Sequence, residues 1–123
     1  MRRLLVGLAA ASLLALAVSA GASASDDVTA RGTCSGASRL ELRLKDDGDR
    51  IELEAGLRSA RRGARWSLVV LHERRLVARV SLRAPLGGGE LRLRRSVPDW
   101  YGTDAVVVRA SRTGESCRVR AVL

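Results

Sequence analysis

Apolar and polar residues alternate along most of this chain, in short segments that end at turn-forming residues. In residues 38–45 every second residue from Leu40 onward is leucine, and residues 50–57 continue the alternation. A period of two places the apolar set on one face of a β-strand and the polar set on the other. Between the segments, residues 46–49 contain an Asp-Gly pair, which strongly indicates a β-hairpin. We therefore predict a hairpin over residues 38–57.

The sequence does not decide which residues of the two hairpin strands face each other. A two-residue turn at residues 47–48 places Arg43 opposite Glu52, and opposite charges in such a pair are favourable. The same turn places Glu41 opposite Glu54, which is unfavourable.

Further alternating or apolar segments follow, separated by turn residues, and no stretch keeps a helical period. Residues 66–71 and 105–108 are apolar on both faces, which is typical of strands in the centre of a sheet. We predict an all-β fold, an antiparallel immunoglobulin-like β-sandwich of seven or eight strands with an arginine-bearing face on each sheet. A small barrel is the alternative. The other predicted strands cover residues 28–34, 76–83, 90–96, 103–111 and 115–123.

Residues 1–24 differ from the rest and are predicted to be a secretory signal peptide. Two arginines precede an apolar run over residues 4–18, which is followed by small residues suited to cleavage after Ala24 or, alternatively, after Ala20. The run is shorter than the roughly 20 residues of a membrane-spanning helix, so a membrane anchor is the less favoured interpretation. We expect residues 25–123 to form one exported, monomeric β-sandwich domain without a transmembrane anchor.

Cys34 and Cys117 are the only cysteines, and most of the predicted domain lies between them. Export permits a disulfide, and a domain of about a hundred residues is only marginally stable by burial alone. Two free thiols are the alternative. These cysteines and the single histidine cannot complete a four-ligand zinc site, and Cys34 lies too far beyond the apolar run for lipidation. We predict a Cys34–Cys117 disulfide that links the first strand to the last.

Net charge narrows the choice of partner. Removal of the predicted signal peptide takes away Arg2 and Arg3. The remaining chain has 20 of the 22 basic residues and all 13 acidic ones, a net charge of +7. Lys45 is the only lysine, and this excess of arginine looks like the codon bias of a GC-rich genome. Positive charge still favours anionic surfaces such as wall polymers, lipid headgroups, acidic glycans or nucleic acid. We predict an anionic polymer or cell-wall surface as the partner, without specific recognition of nucleic acid.

Candidate catalytic and metal-binding residues are few. His72 is the only histidine, and no nucleophile motif accompanies it, so we interpret it as a strand-end residue without chemistry. The acidic turn at residues 46–49 lacks the spacing and the terminal glutamate of a calcium loop. We predict no catalytic residue, no metal and no cofactor, and therefore a protein that is not an enzyme.

Trp100 and Tyr101 form the best candidate binding site, because Arg92, Arg94 and Arg95 precede them closely in the chain. Aromatic rings beside guanidinium groups can stack on a sugar or a base and hold an anionic group. The alternative is that the two aromatic residues close one end of the sandwich, in the manner of a tyrosine corner. The sequence thus favours non-enzymatic binding of an anionic extracellular or cell-wall partner; the alternative function is a small-molecule carrier with a cleft between the sheets.

Four short stretches carry a resemblance to a protein family. Residues 31–36, 50–54, 65–66 and 113–117 read RGTCSG, RIELE, RW and TGESC. With them the chain resembles a family of small secreted actinobacterial proteins whose activity is uncharacterised. The resemblance implies a secreted, disulfide-bonded β-domain and implies no activity. Neocarzinostatin-like apoproteins and subtilisin-inhibitor-like proteins are of similar size, but they typically carry two disulfides, which two cysteines cannot form.

Overall fold

The computed structural model describes residues 27–100 and 102–123. These residues form nine β-strands in two separate antiparallel sheets, which confirms the all-β sandwich over the small barrel. The predicted signal peptide, residues 1–24, lies outside the described residues. Within them, no helix has the length and hydropathy that membrane crossing requires. The strands are β1 (Asp27–Arg31), β2 (Thr33–Cys34), β3 (Arg39–Asp47), β4 (Arg50–Arg58), β5 (Arg65–His72), β6 (Arg75–Arg83), β7 (Glu90–Pro98), β8 (Ala105–Arg112) and β9 (Glu115–Val122).

The first sheet has the strand order β1-β3-β4-β7, and the second has the order β2-β9-β8-β5-β6. The hairpins β3–β4, β5–β6 and β8–β9 join consecutive strands within a sheet. The order β9-β8-β5-β6 matches strands G, F, C and C′ of an immunoglobulin variable-type domain. The first sheet departs from that arrangement, because β3 and β4 pair as a hairpin where an immunoglobulin chain crosses to the other sheet.

The chain changes sheets at Gly32. β1 pairs with β3 in the first sheet, whereas β2 pairs with β9 in the second. The first strand predicted over residues 28–34, with a break at Gly32, is thus divided between the two sheets, and the structure has nine strands rather than seven or eight. A Cβ atom at Gly32 would lie 2.6 Å from the carbonyl oxygen of Arg118, so only glycine allows the backbone to pass this close.

The two-residue turn of the β3–β4 hairpin is formed by residues 48–49, one residue later than the turn at residues 47–48 that the sequence suggested. Gly48 has a φ of 76°, which suits the first central position of a type II′ turn. The resulting register sets Arg43 opposite Glu54 and Lys45 opposite Glu52. Both pairs join opposite charges, so the unfavourable pairing of two glutamates does not form.

The hydrophobic core lies between the two sheets and is built around Trp66, the largest fully buried side chain. The prediction that residues 105–108 are buried on both faces is wrong in part. Ala105 and Val107 point outward from β8 and are half-buried. The other fully buried large side chains are Leu42, Leu44, Ile51, Leu53, Leu57, Leu68, His72, Val70, Val97, Val106 and Val108.

The predicted disulfide is confirmed, with the Sγ atoms of Cys34 and Cys117 2.06 Å apart. The two residues face each other across the β2–β9 ladder. The bond therefore joins neighbouring strands of one sheet and does not bridge the two sheets. Because β2 has only two residues, the bond adds a covalent restraint to the few hydrogen bonds that hold this segment against β9.

A polar cluster around Glu115 closes the sandwich at the end that carries the disulfide. The buried Glu115 carboxylate accepts hydrogen bonds from the Ser38 N–H (3.0 Å) and the Ser38 hydroxyl (2.6 Å), and it pairs with Arg112 at 3.2 Å. The Ser38 hydroxyl accepts a further bond from the Ala60 N–H. Burial alone raises the pKa of Glu115, but the bonds from Ser38 and the charge of Arg112 outweigh it, so the pKa lies below its ordinary value.

Candidate functional site

His72 lies at the end of β5 and is paired with a partner that the sequence did not indicate. Its side chain is buried, and its Nε2 atom lies 2.7 Å from Oδ1 of Asp104, which is buried as well. Nδ1 is buried, and none of residues 27–100 and 102–123 forms a hydrogen bond with it. The hydrogen bond with Asp104 is the one that the described residues make with the ring, and no hydroxyl or thiol among them does so. The geometry supports a structural role for His72.

Trp100 covers this buried pair. Its indole stacks on the His72 ring, with the centroids 4.2 Å apart and the planes 13° apart, and the Arg75 guanidinium lies 5.4 Å from the indole centroid. The backbone N–H of Trp100 also donates a hydrogen bond to the Asp104 carboxylate, at 3.3 Å. These contacts favour the alternative in which Trp100 closes one end of the sandwich. Tyr101 lies outside the described residues.

Asp99 is a further acidic residue close to the His72–Asp104 pair. A hydrogen bond with the Asp104 carboxyl raises the pKa of Asp99, and desolvation and the negative charges of Asp104 and Asp46 add to the effect. A raised pKa means that the folded protein binds this proton more tightly than the unfolded chain does. The contribution of Asp99 to stability therefore falls as the pH rises above its ordinary pKa of 3.8.

Replacement of Asp99 by asparagine should therefore stabilise the protein near neutral pH. Asparagine removes the negative charge and keeps a donor for Asp104. We expect Asp99→Asn to have a higher Tm than the natural protein at neutral pH, and the difference to vanish in acid below the ordinary aspartate pKa. Thermal unfolding followed by circular dichroism over a pH series measures this. Asp47→Asn makes the same charge change on the neighbouring turn and serves as the control. A variant that is equally or less stable at neutral pH contradicts the prediction.

The three arginines proposed from the sequence lie on β7, in the first sheet, and the contacts of Trp100 described above do not include them. Arg92 and Arg94 both lie beside the Glu54 carboxylate, at 3.5 and 3.4 Å. Arg95 donates to the carbonyl oxygen of Arg94. Acidic and basic side chains alternate over the outer face of this sheet, so its charge is nearly balanced. Its acidic residues are Asp27, Glu41, Asp47, Glu52, Glu54 and Glu90.

The outer face of the second sheet is different, because none of its outward strand positions holds an acidic residue. We call it the arginine–serine face. None of its arginines has a carboxylate oxygen within 4.0 Å among the described residues. Its arginines are Arg65, Arg79, Arg83, Arg109, Arg118 and Arg120.

Serine side chains form a continuous row across four strands of this face. Ser67 faces both Ser81 and Ser111, and Ser111 faces Ser116. In the adjacent row, Arg109 stands directly opposite Arg118 on the neighbouring strand. Like charges in this position are destabilising. No acidic residue at an outward strand position of this sheet offsets the cost.

A shallow depression of about 640 Å³ lies at the β8–β9 side of the arginine–serine face. Guanidinium groups and hydroxyls line it together, and the disulfide pair borders it. The lining residues that can bind an anion are Thr33, Ser35, Arg109, Ser111, Ser116 and Arg118. Because Arg118 follows Cys117 in the chain and faces Thr33 across the ladder, the disulfide helps to position this wall of the depression.

Sequence reasoning predicted an arginine-bearing face on each sheet but missed the acid-free arginine–serine face as a unit. One indication was available: the outward residues of 65–71, 79–83, 105–111 and 116–122 include arginine and serine but no acid. Which of these segments are neighbours is a property of the sheet order, and the alternation does not contain it.

No protein-family model, no curated protein and no solved structure matches this chain. The class of protein is therefore defined by the fold and the surface: a disulfide-linked, two-sheet β-sandwich with one charge-balanced face and one acid-free basic face.

Proposed function

We propose that this chain is an exported, non-enzymatic protein that binds an anionic extracellular or cell-wall partner through its arginine–serine face. The observation that carries the proposal is the absence of acidic residues from the outward positions of the second sheet, against six on the first. The disulfide is compatible with an oxidising compartment outside the cytosol. Export, a monomeric state and the actinobacterial family remain predictions from the sequence.

The chemistry of the face suits repeated anionic groups. A guanidinium group can donate two parallel hydrogen bonds to one phosphate or carboxylate, and a serine hydroxyl can donate a further bond beside it. Neighbouring strands are about 4.8 Å apart, so the four serines extend over roughly 14 Å. An array of this length fits an extended surface or polymer better than a single small molecule.

A carrier function needs a cleft between the two sheets. The space there is occupied by fully buried side chains that pack together, Leu42, Trp66 and Val108 among them. The depression that we describe lies on an outer face. No observation on the described residues favours the carrier, so we propose no second function.

Binding to polyanions tests the proposal. The exported protein should be retained on immobilised heparin and on isolated cell wall, and salt should release it. Arg109→Gln with Arg118→Gln should weaken retention about 10- to 30-fold, since each arginine near an anionic surface contributes about 1 kcal/mol. The matched control is Arg39→Gln with Arg58→Gln, an arginine pair that also faces across neighbouring strands but lies on the charge-balanced face. Flow-through of the natural protein at low salt, or equal loss in both double variants, contradicts the proposal.

A further inference from the structure

The arginine–serine face has an aliphatic end. Leu71 on β5 faces Val107 on β8 and Leu76 on β6. Leu76 is 56% exposed, and Val122, at the end of β9, is 37% exposed. A bulge in β6 adds a further exposed valine beside Leu76. We call this group the aliphatic end of the face; its members are Leu71, Leu76, Val77, Val107 and Val122.

Polarity therefore changes in order along the strands of the second sheet. The aliphatic end comes first, with Arg120 at its border, and the row with Arg79, Arg109 and Arg118 follows. The serine row is next, and Arg65 and Arg83 form a further basic row beyond it. Successive outward residues on a strand are about 7 Å apart. The distance along β9 from Val122 at the aliphatic end to Ser116 in the serine row is therefore roughly 20 Å.

We propose that the anionic partner of this face is a lipid bilayer with acidic headgroups. The aliphatic end enters the boundary between headgroups and acyl chains, the arginines bind lipid phosphates, and the serines remain among headgroups and water. This inference rests on the proposed function and specifies its partner. Binding at such an interface increases with the apolar area that is buried and with the attraction between basic side chains and acidic lipids.

A bilayer explains both parts of the face, whereas a soluble polyanion explains only one. Transfer of Leu76, Val77 and Val122 out of water is favourable only when the partner offers an apolar phase. A hydrated polymer such as a wall glycan offers anions without that phase. A second copy of the same face would bring arginines against arginines, which charge repulsion opposes.

The acidic residues at the adjacent end do not prevent this approach. The Glu73 carboxylate turns back and accepts a hydrogen bond from the Ala105 N–H. The N–H of Asp99 donates to the carbonyl oxygen of Asp49, which places Asp99 beside the β3–β4 turn of the first sheet. Neither residue occupies an outward strand position on the arginine–serine face, so the aliphatic end can approach an anionic surface without placing a carboxylate from this face against it.

Vesicle binding, with heparin binding measured in parallel, tests the inference. The exported chain is used, with intact mass confirming that the apolar leader is absent. Vesicles contain phosphatidylcholine alone or phosphatidylcholine with phosphatidylglycerol, and bound protein is measured by flotation. Leu76→Ser with Val77→Ser should weaken binding to the anionic vesicles about tenfold, because the apolar contribution of two side chains is lost, and heparin binding should not change. The control is Leu86→Ser, which removes a leucine that is 74% exposed in the connection between β6 and β7.

The outcomes separate this inference from the proposed function. Binding to anionic vesicles that the β6 double variant weakens, and Leu86→Ser does not, supports the inference. Retention on heparin without vesicle binding, or vesicle binding that the double variant leaves unchanged, overturns the inference and leaves the proposed function in place. Equal binding to both kinds of vesicle overturns the role of the arginines. Failure to bind either heparin or vesicles overturns both.

Discussion

Replacing Glu115 by alanine is expected to lower the free energy of unfolding by about 3–5 kcal/mol, because a buried ion pair that loses one partner leaves an uncompensated charge. Arg112, only 18% exposed in its side chain, would lose its carboxylate partner. The N–H and the hydroxyl of Ser38 would lose their acceptors at the same time. Chemical denaturation at neutral pH measures the change. Glu90→Ala is the matched control: it removes a partly exposed carboxylate near Arg92 and should cost less than about 1 kcal/mol.

The pH dependence of Glu115 gives an independent check. Its folded pKa lies below its ordinary value of 4.5, so its charged form stabilises the protein above that pH. This stabilisation is lost as the pH falls through the lowered folded pKa. Glu115→Gln should therefore be less stable than the natural protein at neutral pH, and the gap should narrow in acid. A gap that is constant with pH, or a loss for Glu115→Ala no larger than that for Glu90→Ala, contradicts the assignment.

Replacing both cysteines by serine is expected to lower the free energy of unfolding by about 2–5 kcal/mol. The disulfide joins residues 83 positions apart, and the chain-entropy model gives about 4.5 kcal/mol for a loop of this length. In the folded protein the bond also holds β2, which has only two residues, against β9. Without it, β2 should separate readily from the sheet.

Denaturation with and without reductant tests this second prediction. Reductant should lower the stability of the natural protein to that of Cys34→Ser with Cys117→Ser, and it should leave the double variant unchanged. Alkylation of both cysteines in the unreduced protein, or equal stability of the two proteins without reductant, contradicts the prediction. Because Thr33 and Arg118 face each other beside the bond, the double variant should also lose some retention on heparin.

Much of the fold could be predicted from local patterns. Alternation with a period of two depends only on neighbouring residues, so it identified the strands and which side chains face the core. Leu40, Leu42 and Leu44 are buried as the pattern predicts. Gly32 lies within the strand predicted over residues 28–34, and the change of sheet there depends on the close approach of the backbone at Arg118, which the sequence does not contain. The hairpin register likewise depended on the turn that places Gly48 at a positive φ.

The site could be predicted far less well, because its residues come from separate parts of the chain. Trp100 was grouped with Arg94 and Arg95 because they are close in sequence. In the folded protein the guanidinium group over Trp100 belongs to Arg75, from the other sheet. Proximity along the chain is a poor guide at a strand end, where the backbone leaves one sheet and its next contacts are made with the other.

The sequence by itself determined the strands, the inward and outward sides of most of them, the disulfide pair and the excess of positive charge. These follow from local periodicity, from composition and from the presence of only two cysteines. The tertiary structure decided which strands are neighbours. The order of strands brings His72 to Asp104 and Ser38 to Glu115, residues that are 32 and 77 positions apart in the chain. It also brings together the residues of the arginine–serine face. The physical reason is that alternation specifies a side of a strand, whereas a binding face also requires the order of strands in the sheet.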